Sequence, residues 1–134
     1  MPNELVWPLA TEISQLNELI VEETGEPFSL IKPDQLESAC ARPYNLWAYG
    51  QEERLAWLAT SLILGIATNH PFEQGNKRTG YAAGIVFCLN NGFLVEGTDS
   101  EEFGDYIISA VTGEISEDEF AYSLDDYLVE NLNF

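Results

Sequence analysis

The chain has 134 residues, and its 23 acidic residues outnumber five basic ones, so the formal net charge at pH 7 is −18. Nucleic acids and anionic membrane surfaces are bound through clustered Lys and Arg, so we expect neither as a partner. Hydrophobic residues make up 46% of the chain, enough for one core, and a single domain over residues 1–134 is predicted.

The first predicted elements are two helices. Apolar residues recur at helical spacing from Leu9 to about Glu23, which predicts a first helix that Gly25 ends. A short helix is then predicted from Pro33 to Arg42, where Pro43 ends it. The aromatic stretch at 44–50 is predicted to be a loop.

Two longer helices are predicted in the middle of the chain. The first covers about 51–68, with Glu52 and Glu53 in its first turn, where the helix dipole favours acidic side chains. The second begins near residues 76–78 and runs to Asn91. Its segment 81–89 carries no charge, which predicts that this second helix is the central, buried one.

The C-terminal part is predicted to contain a turn and two more helices. Residues 93–97 form the turn, with at most a short extended piece. Capping boxes, in which Ser or Thr is followed three residues later by Glu, predict helix starts at Thr98 and Ser116. The first of these helices ends near Gly113, and the second reaches about Asn131. The fold class is therefore all-α, a bundle of about six helices.

Cysteine use and hydropathy indicate the compartment. Cys40 and Cys88 lie in apolar helical patterns and are predicted to be small buried side chains in a reducing compartment, the cytoplasm. One histidine and no CxxC spacing make a zinc cluster unexpected, and the N-terminus lacks the pattern of a signal peptide. The longest apolar stretch has thirteen residues, fewer than the roughly 20 that span a bilayer. The negative charge is explained by solubility, with a basic protein partner or a high-salt habitat as alternatives.

Residues 70–80 read His-Pro-Phe-Glu-Gln-Gly-Asn-Lys-Arg-Thr-Gly and differ in charge from the rest of the chain. Lys77 and Arg78 are adjacent here, whereas the remainder holds 22 acidic and three basic residues. Basic side chains in the first turn of a helix oppose its dipole unless an anion binds there, and the N–H groups of Gly75, Asn76 and Lys77 would add donors. The stretch therefore predicts an anion site. The alternative is that both basic side chains are solvated and pair with nearby glutamates.

The neighbouring residues suggest chemistry at this site. His70 is the only histidine and lies where a general base for a hydroxyl nucleophile would act, although a lone histidine is more often structural. Phe72 is predicted to be a core anchor of the loop. Asn76 is predicted to hold either a phosphate oxygen or the backbone turn. A Walker A loop is excluded, because Asn76 separates Gly75 from Lys77 and a helix precedes the loop.

The sequence His-Pro-Phe-x-x-Gly-Asn-Lys-Arg-Thr resembles the motif of the Fic/Doc family, in the version found in Doc (death on curing) toxins. Leu36 to Pro43 resembles the Leu-Glu-Ser-Ala-x-Ala-Arg-Pro segment of Doc-like proteins, and Leu89 to Phe93 resembles the segment after their central helix. The resemblance covers about residues 9–128. It implies a small helical bundle with the motif loop, 70–78, between two helices.

The resemblance assigns roles to individual residues. His70 would be the general base that deprotonates a target hydroxyl, and Lys77 and Arg78 would be catalytic with it. Gly75, Asn76 and Lys77 would form the anion hole for nucleotide phosphates, and Arg78 would neutralise phosphate charge. ATP is implied as co-substrate, together with Mg²⁺.

Two activities occur in the family. Fic enzymes transfer AMP from ATP to a protein hydroxyl, whereas Doc toxins transfer the terminal phosphate, with elongation factor Tu as the known target type. Lys77 replaces the second glycine of the Fic motif, and Tyr81 occupies the position of its second arginine, so phosphate transfer to a Ser, Thr or Tyr hydroxyl is favoured. The family's self-inhibitory pattern is absent from the sequence. A separate antitoxin chain is therefore expected.

One residue departs from the family motif. Gln74 occupies the position where an Asp or Glu usually holds Mg²⁺, and an amide oxygen lacks the charge that this cation prefers. Three hypotheses therefore remain open: a Doc-like kinase, a Fic-type AMP transferase, and a degenerate domain that binds a nucleotide or a partner without catalysis. Gln74 is the residue that motivates the third.

Overall fold

The computed structural model describes residues 4–98 and 100–133. This part of the chain contains six helices and one two-stranded sheet. In chain order the elements are α1 (Ala10–Glu23), α2 (Pro33–Ala48), α3 (Leu55–Asn69), α4 (Asn76–Asn90), β1 (Phe93–Val95), α5 (Ser100–Val111), α6 (Glu117–Asp125) and β2 (Leu128–Glu130). The predicted all-α class is confirmed, because the sheet contributes only three residues per strand.

Helix α3 is the centre of the bundle. Every residue from Leu55 to Ala67 is buried, and α3 packs against α2, α4, α5 and α6. The prediction that α4 is the central helix is wrong, since Leu89 and Asn90 are exposed there. Both helices have long uncharged segments, but α3 is buried continuously over residues 55–67, whereas buried residues alternate with partly exposed ones along α4. None of the described helices is both long and apolar enough to cross a bilayer.

Helix α2 continues through Pro43, so the predicted end at that proline and the predicted loop at 44–50 are wrong. Proline removes one helical hydrogen bond. The continuing helix places Tyr44 and Trp47 on one face, where their rings lie 5.3 and 5.4 Å from that of Trp7, measured between centroids. The aromatic packing offsets the lost hydrogen bond, because tertiary contacts routinely override local propensity.

Helix α3 begins at Leu55 rather than near Gln51, so Glu52 and Glu53 precede the helix instead of forming its first turn. The Glu52 carboxylate accepts hydrogen bonds from the backbone N–H and the guanidinium of Arg54, at 2.8–2.9 Å. These bonds lower the pKa of Glu52. They join the two ends of a short non-helical segment that follows Gln51, whose φ is 57°, and the helix starts after this segment.

The last helix is shorter than predicted. Helix α6 ends at Asp125 instead of about Asn131, and the chain then forms β2. Strand β2 runs antiparallel to β1 and places Val129 opposite Leu94. The short extended piece that the sequence allowed at 93–97 thus has a pairing partner. No local pattern indicated this partner, because three residues are too few to show strand periodicity.

One of the two helix starts that the capping boxes predict is confirmed. The Ser116 hydroxyl oxygen accepts the N–H of Glu119 at 3.0 Å and caps α6. The other, predicted at Thr98, concerns α5, which begins at Ser100, and residue 99 between them lies outside the described residues. The Thr98 hydroxyl forms a hydrogen bond with the hydroxyl of Tyr81.

Both cysteines are free and buried, as predicted. Burial raises the pKa of the Cys40 thiol to about 11 and that of the Cys88 thiol to about 12. The thiolate is the reactive form of cysteine, and almost none of it is present at neutral pH. Neither side chain is therefore a candidate nucleophile.

Helices α3 and α4 approach each other closely at the glycines of α4. A Cβ built on Gly80 would lie 2.7 Å from the backbone carbonyl oxygen of Ile63, and one on Gly84 would lie 2.4 Å from the side chain of the same isoleucine. The contact at Gly80 involves backbone, which has little freedom to shift. This approach fixes the distance between the end of α3 and the start of α4.

Replacing Gly80 by Ala is expected to destabilise the chain by about 1–3 kcal/mol, the usual cost of overpacking. Gly104→Ala in α5 is the matched control, because a Cβ there meets nothing within 4 Å. Alanine is also the better helix former, so this control should gain about 0.5–1 kcal/mol. Chemical denaturation measures both free energies of unfolding, and equal values for the two variants would contradict the close approach.

Candidate active site at the junction of α3 and α4

His70 follows the last residue of α3 and begins the loop to α4. Its backbone is left-handed, with φ 49° and ψ 58°, which is uncommon for a residue other than glycine. Its N–H donates to the carbonyl of Ile66 at 3.3 Å. The His70 side chain is exposed and lines a cleft of about 280 Å³ together with residues 73–78. The imidazole is therefore accessible to a substrate.

The loop after His70 is fastened to the connector between α1 and α2. Phe72 is only 1% exposed and forms an isolated β-bridge with Leu30. Three backbone hydrogen bonds of 2.9 Å join residues 29–32 to Pro71 and Glu73. Phe72 is thus buried in the core, and the loop has a fixed path across the end of the bundle.

The Asn76 side chain closes the loop on itself. Its Nδ2 donates to the carbonyl of Phe72 at 2.8 Å, and its Oδ1 accepts the N–H of Phe72 at 3.0 Å. The residue is 8% exposed. The sequence left two roles open for the Asn76 side chain, binding a phosphate oxygen or holding the backbone turn. In the structure its amide holds the turn. Its backbone N–H and the second N–H of Nδ2 are the donors that these two bonds leave unused.

The first turn of α4 has N–H groups without helical partners. Gly75 precedes the helix in the left-handed conformation, with φ 74° and ψ 22°, and no side chain caps the helix. The N–H of Thr79 is the first to bond along the helix, to the Gly75 carbonyl at 2.8 Å. The N–H groups of Asn76, Lys77 and Arg78 therefore have no acceptor within α4. Such a run of N–H groups after a left-handed residue forms a concave site for anions.

Arg78 is already engaged with a carboxylate. Its Nη2 lies 2.6 Å from Oε1 of Glu26, and its Nη1 donates to the Thr24 hydroxyl oxygen at 3.4 Å. The Thr24 hydroxyl also donates to Glu26. This bond and the hydrogen bond from Arg78 lower the pKa of Glu26. The predicted alternative, pairing of a basic side chain with a nearby glutamate, is thus realised for Arg78.

All three arginines in the described part of the chain form ion pairs with glutamates. Besides Arg78, Arg42 lies 3.0 Å from Glu117, and Arg54 lies 2.8 Å from Glu52. Partly exposed pairs of this kind contribute little to stability. They do change the charge that a ligand meets, because they locally neutralise three of the five positive charges of the chain.

Gln74 and Glu73 are exposed and line the same cleft as His70. They offer one amide oxygen and one carboxylate. Among residues 4–98 and 100–133, no three or more His, Cys, Asp or Glu side chains come together as potential metal ligands. Mg²⁺ bound beside nucleotide phosphates often uses only one or two protein carboxylates. The residues present therefore fit Mg²⁺ only if phosphates supply most of its ligands.

The residue that supports this loop from the core side was not predicted from the sequence. Asn17 of α1 is fully buried, and its Nδ2 donates to the Gln74 carbonyl at 2.8 Å and to the Thr79 hydroxyl oxygen at 3.0 Å. A signal for it exists in the sequence. Asn17 lies four residues from both Ile13 and Val21, on the apolar face of α1, where a polar residue is informative.

Gly75→Ala is expected to weaken the binding of ATP, the ligand that the motif implies for this site. The new Cβ would lie 3.2 Å from Cγ1 of Val21 and 3.4 Å from Nη2 of Arg78, and a left-handed backbone costs about 1–2 kcal/mol once a Cβ is present. Gly113→Ala is the matched control, with a similar φ of +84° and open space around its Cβ. Calorimetric titration should show weaker binding for Gly75→Ala alone. Equal affinities of the two variants would contradict a role of Gly75 in the site.

Comparison with known proteins identifies a family whose sequence profile includes the loop between α3 and α4. The sequence profile described as Fic/DOC family matches residues 7–88, which include the whole stretch from His70 to Gly80. The chain is 29% identical over 105 residues to the protein kinase doc of Escherichia phage P1, an alignment that covers 78% of this chain and 82% of that protein. Because the family profile matches more than half of the chain, the protein belongs to the Fic/Doc family.

Proposed function

We propose that this chain is a Doc-like toxin of a toxin–antitoxin pair, which transfers the terminal phosphate of ATP to a Ser, Thr or Tyr hydroxyl of a protein. One observation carries the proposal: the exposed His70 side chain and the residues of the first turn of α4 line one cleft. A base for a hydroxyl and a cradle for phosphate are the parts that phosphoryl transfer requires. The relative in phage P1, a protein kinase by its name, supports this reaction class.

In the proposed reaction His70 is the general base. Its imidazole accepts the proton of the target hydroxyl while that oxygen forms a bond to the γ-phosphorus of ATP. The bond between the γ-phosphorus and the oxygen that bridges to the β-phosphate breaks, and ADP leaves. The proton on His70 then passes to water. The exposure of His70 supports this role, because a side chain of a protein target has to reach the imidazole.

The first turn of α4 would bind the phosphates. The backbone N–H groups of Asn76, Lys77 and Arg78 lack helical acceptors and would face the charge that develops on the transferred group. Lys77 is exposed and would add a positive charge next to these groups. Arg78 would contribute by turning its guanidinium from Glu26 to the phosphates, or by sharing it between them.

Mg²⁺ is proposed as the companion of ATP. When bound, this cation would neutralise part of the phosphate charge and so make the terminal phosphorus easier to attack. Gln74 and Glu73 are the side chains of the cleft with oxygen atoms that suit it. Because Gln74 lacks a charge, the phosphates would have to hold the cation more firmly than in a site with a carboxylate at this position.

Tyr81 favours phosphate transfer over AMP transfer. It occupies the position of the second arginine of the Fic motif, and its hydroxyl forms a hydrogen bond with that of Thr98. Its ring packs against Phe103, with 5.1 Å between centroids. A side chain held in this way offers no positive charge to a nucleotide. We therefore propose AMP transfer and a non-catalytic binding domain only as outcomes of the test below.

A separate antitoxin chain and elongation factor Tu are proposed as the partners, and the cytoplasm as the location. An open groove of about 590 Å³ adjoins the cleft at Lys77 and Arg78, and Ile20 of α1 and Ile108 of α5 line it. A peptide segment in this groove would cover the phosphate-binding turn. The groove therefore supports inhibition by a second chain.

Replacing His70 by Ala is expected to lower transfer of label from γ-labelled ATP to a protein target at least about a hundredfold, because general bases contribute roughly that much or more. The assay uses the purified chain with a mixture of translation factors, and thermal unfolding verifies that the variant is folded. If the protein target instead acquires label from α-labelled ATP, the reaction is AMP transfer and the proposal of phosphate transfer is wrong. A His70→Ala variant that arrests growth as well as the wild type would favour the non-catalytic domain.

Gln74→Asp provides the companion experiment. A carboxylate at this position should raise the transfer rate by holding Mg²⁺ more firmly. The native-kinase proposal fails if the wild type transfers nothing under conditions in which Gln74→Asp is active.

Glu26→Gln is expected to strengthen ATP binding modestly at neutral pH. Because the pKa of Glu26 is lowered, its carboxylate is charged there and competes with phosphate for Arg78. The wild type should approach the affinity of the variant as the pH falls through this lowered pKa and the carboxylate is protonated. Titration calorimetry over a pH series, with Glu117→Gln at the Arg42 ion pair as the control, measures the difference. Identical affinities of the Glu26 variant and the wild type at neutral pH would contradict the competition.

A further inference from the structure

Asn17 makes two hydrogen bonds that flank the phosphate-binding turn. One N–H of its Nδ2 group donates to the backbone carbonyl of Gln74 at 2.8 Å, and the other donates to the hydroxyl oxygen of Thr79 at 3.0 Å. Residues 75–78 lie between these two points, and Nδ2 is also 3.4 Å from the position of a Cβ on Gly75. A single side chain of α1 thus holds both ends of the turn.

The bond to Gln74 fixes the direction of the next N–H group. All peptide bonds among the described residues are trans, so the carbonyl of Gln74 and the N–H of Gly75 point in opposite directions. The carbonyl points to Asn17, which is fully buried. The N–H of Gly75 therefore points away from the Asn17 amide, and Gly75 is one of the residues that line the cleft.

Asn17 is not fully satisfied by the bonds it makes. Its Oδ1 is buried and has no hydrogen-bond partner among the described residues. An unpaired buried carbonyl costs stability. Asn91 at the other end of α4 differs in this respect, because both its Oδ1 and its Nδ2 are paired, with the backbone of Val6 and Phe87. Because the unpaired Oδ1 of Asn17 lowers the stability of the fold, we look for a function of this side chain other than stabilisation.

We propose that Asn17 is a positioning residue for the phosphate site: by holding the Gln74 carbonyl, it aims the N–H of Gly75 at the anion. The inference rests on the proposed function as far as ATP binding is concerned. Without Asn17 the peptide between Gln74 and Gly75 can rotate. It then presents either an undirected N–H or, worse for an anion, the carbonyl oxygen of Gln74.

The experiment is an ATP titration of the ¹⁵N-labelled chain followed by NMR. In the wild type, the amide signal of Gly75 should move strongly on addition of ATP. Asn17→Leu removes the donor at similar volume, and Asn17→Asp keeps the shape but replaces the Nδ2 donor by oxygen. Both variants should lose the Gly75 response, with an affinity for ATP reduced at least about tenfold, as expected for the loss of a hydrogen bond to a charged group.

Asn91→Leu is the matched control, because it also removes the amide of a buried asparagine that bonds to backbone. It should be destabilised in thermal unfolding and still bind ATP with the Gly75 response of the wild type. A purely structural role of Asn17 predicts the same behaviour for both asparagines. Thr79→Val removes the second bond alone, and it should retain most of the affinity because the Gln74 carbonyl is still held.

The outcomes separate the inference from the function on which it rests. If either folded Asn17 variant binds ATP like the wild type, with the same Gly75 response, the positioning role is wrong and the proposed function is untouched. If the wild-type amides of residues 75–78 do not respond to ATP, the proposed function is wrong, and the positioning role falls with it.

Discussion

The site depends on the packing of α3 against α4. Residues 55–67 of α3 are buried without exception, and Gly80 of α4 approaches the backbone of Ile63 more closely than any side chain would allow. The end of one helix carries His70, and the start of the other carries the N–H groups that suit an anion. Because close-packed interiors transmit small displacements, the spacing of the proposed base and the proposed phosphate-binding turn is set in the core rather than in the exposed loop.

Local signals were sufficient for much of the fold. The extent of α1, the start of α4 and the cap at Ser116 follow from periodicity, glycine and capping residues, all of which act within a few positions of the chain. Local signals failed to predict the secondary structure where contacts with a residue distant in sequence determine it. Pro43 remains inside α2 because Trp7 packs on the continuing helix, and the chain after α6 becomes a strand because β1 is beside it. Neither partner is visible in the sequence near these residues.

The same distinction applies to the site. The stretch from His70 to Gly80 could be recognised from charge and motif, because its chemistry is concentrated in consecutive residues. The partners of that stretch could not. Whether the Asn76 amide contacts a phosphate or the backbone of Phe72 depends on the path of the loop. That Glu26, among 17 glutamates, is the one beside Arg78 depends on how α1 is placed against α4.

The pairing of every arginine with a glutamate has a consequence for how a nucleotide reaches the protein. With a formal charge of −18 and three arginines neutralised locally, the field around the molecule repels a polyphosphate, and the N–H groups attract it only at contact. Salt screens repulsion beyond a Debye length, about 10 Å at 0.1 M ionic strength. The encounter with the proposed ligand, ATP, should thus become faster as ionic strength rises, the reverse of the behaviour of proteins that attract phosphates through basic surfaces. A nucleotide that is already bound to a cation carries less negative charge, so the protein would also repel it less.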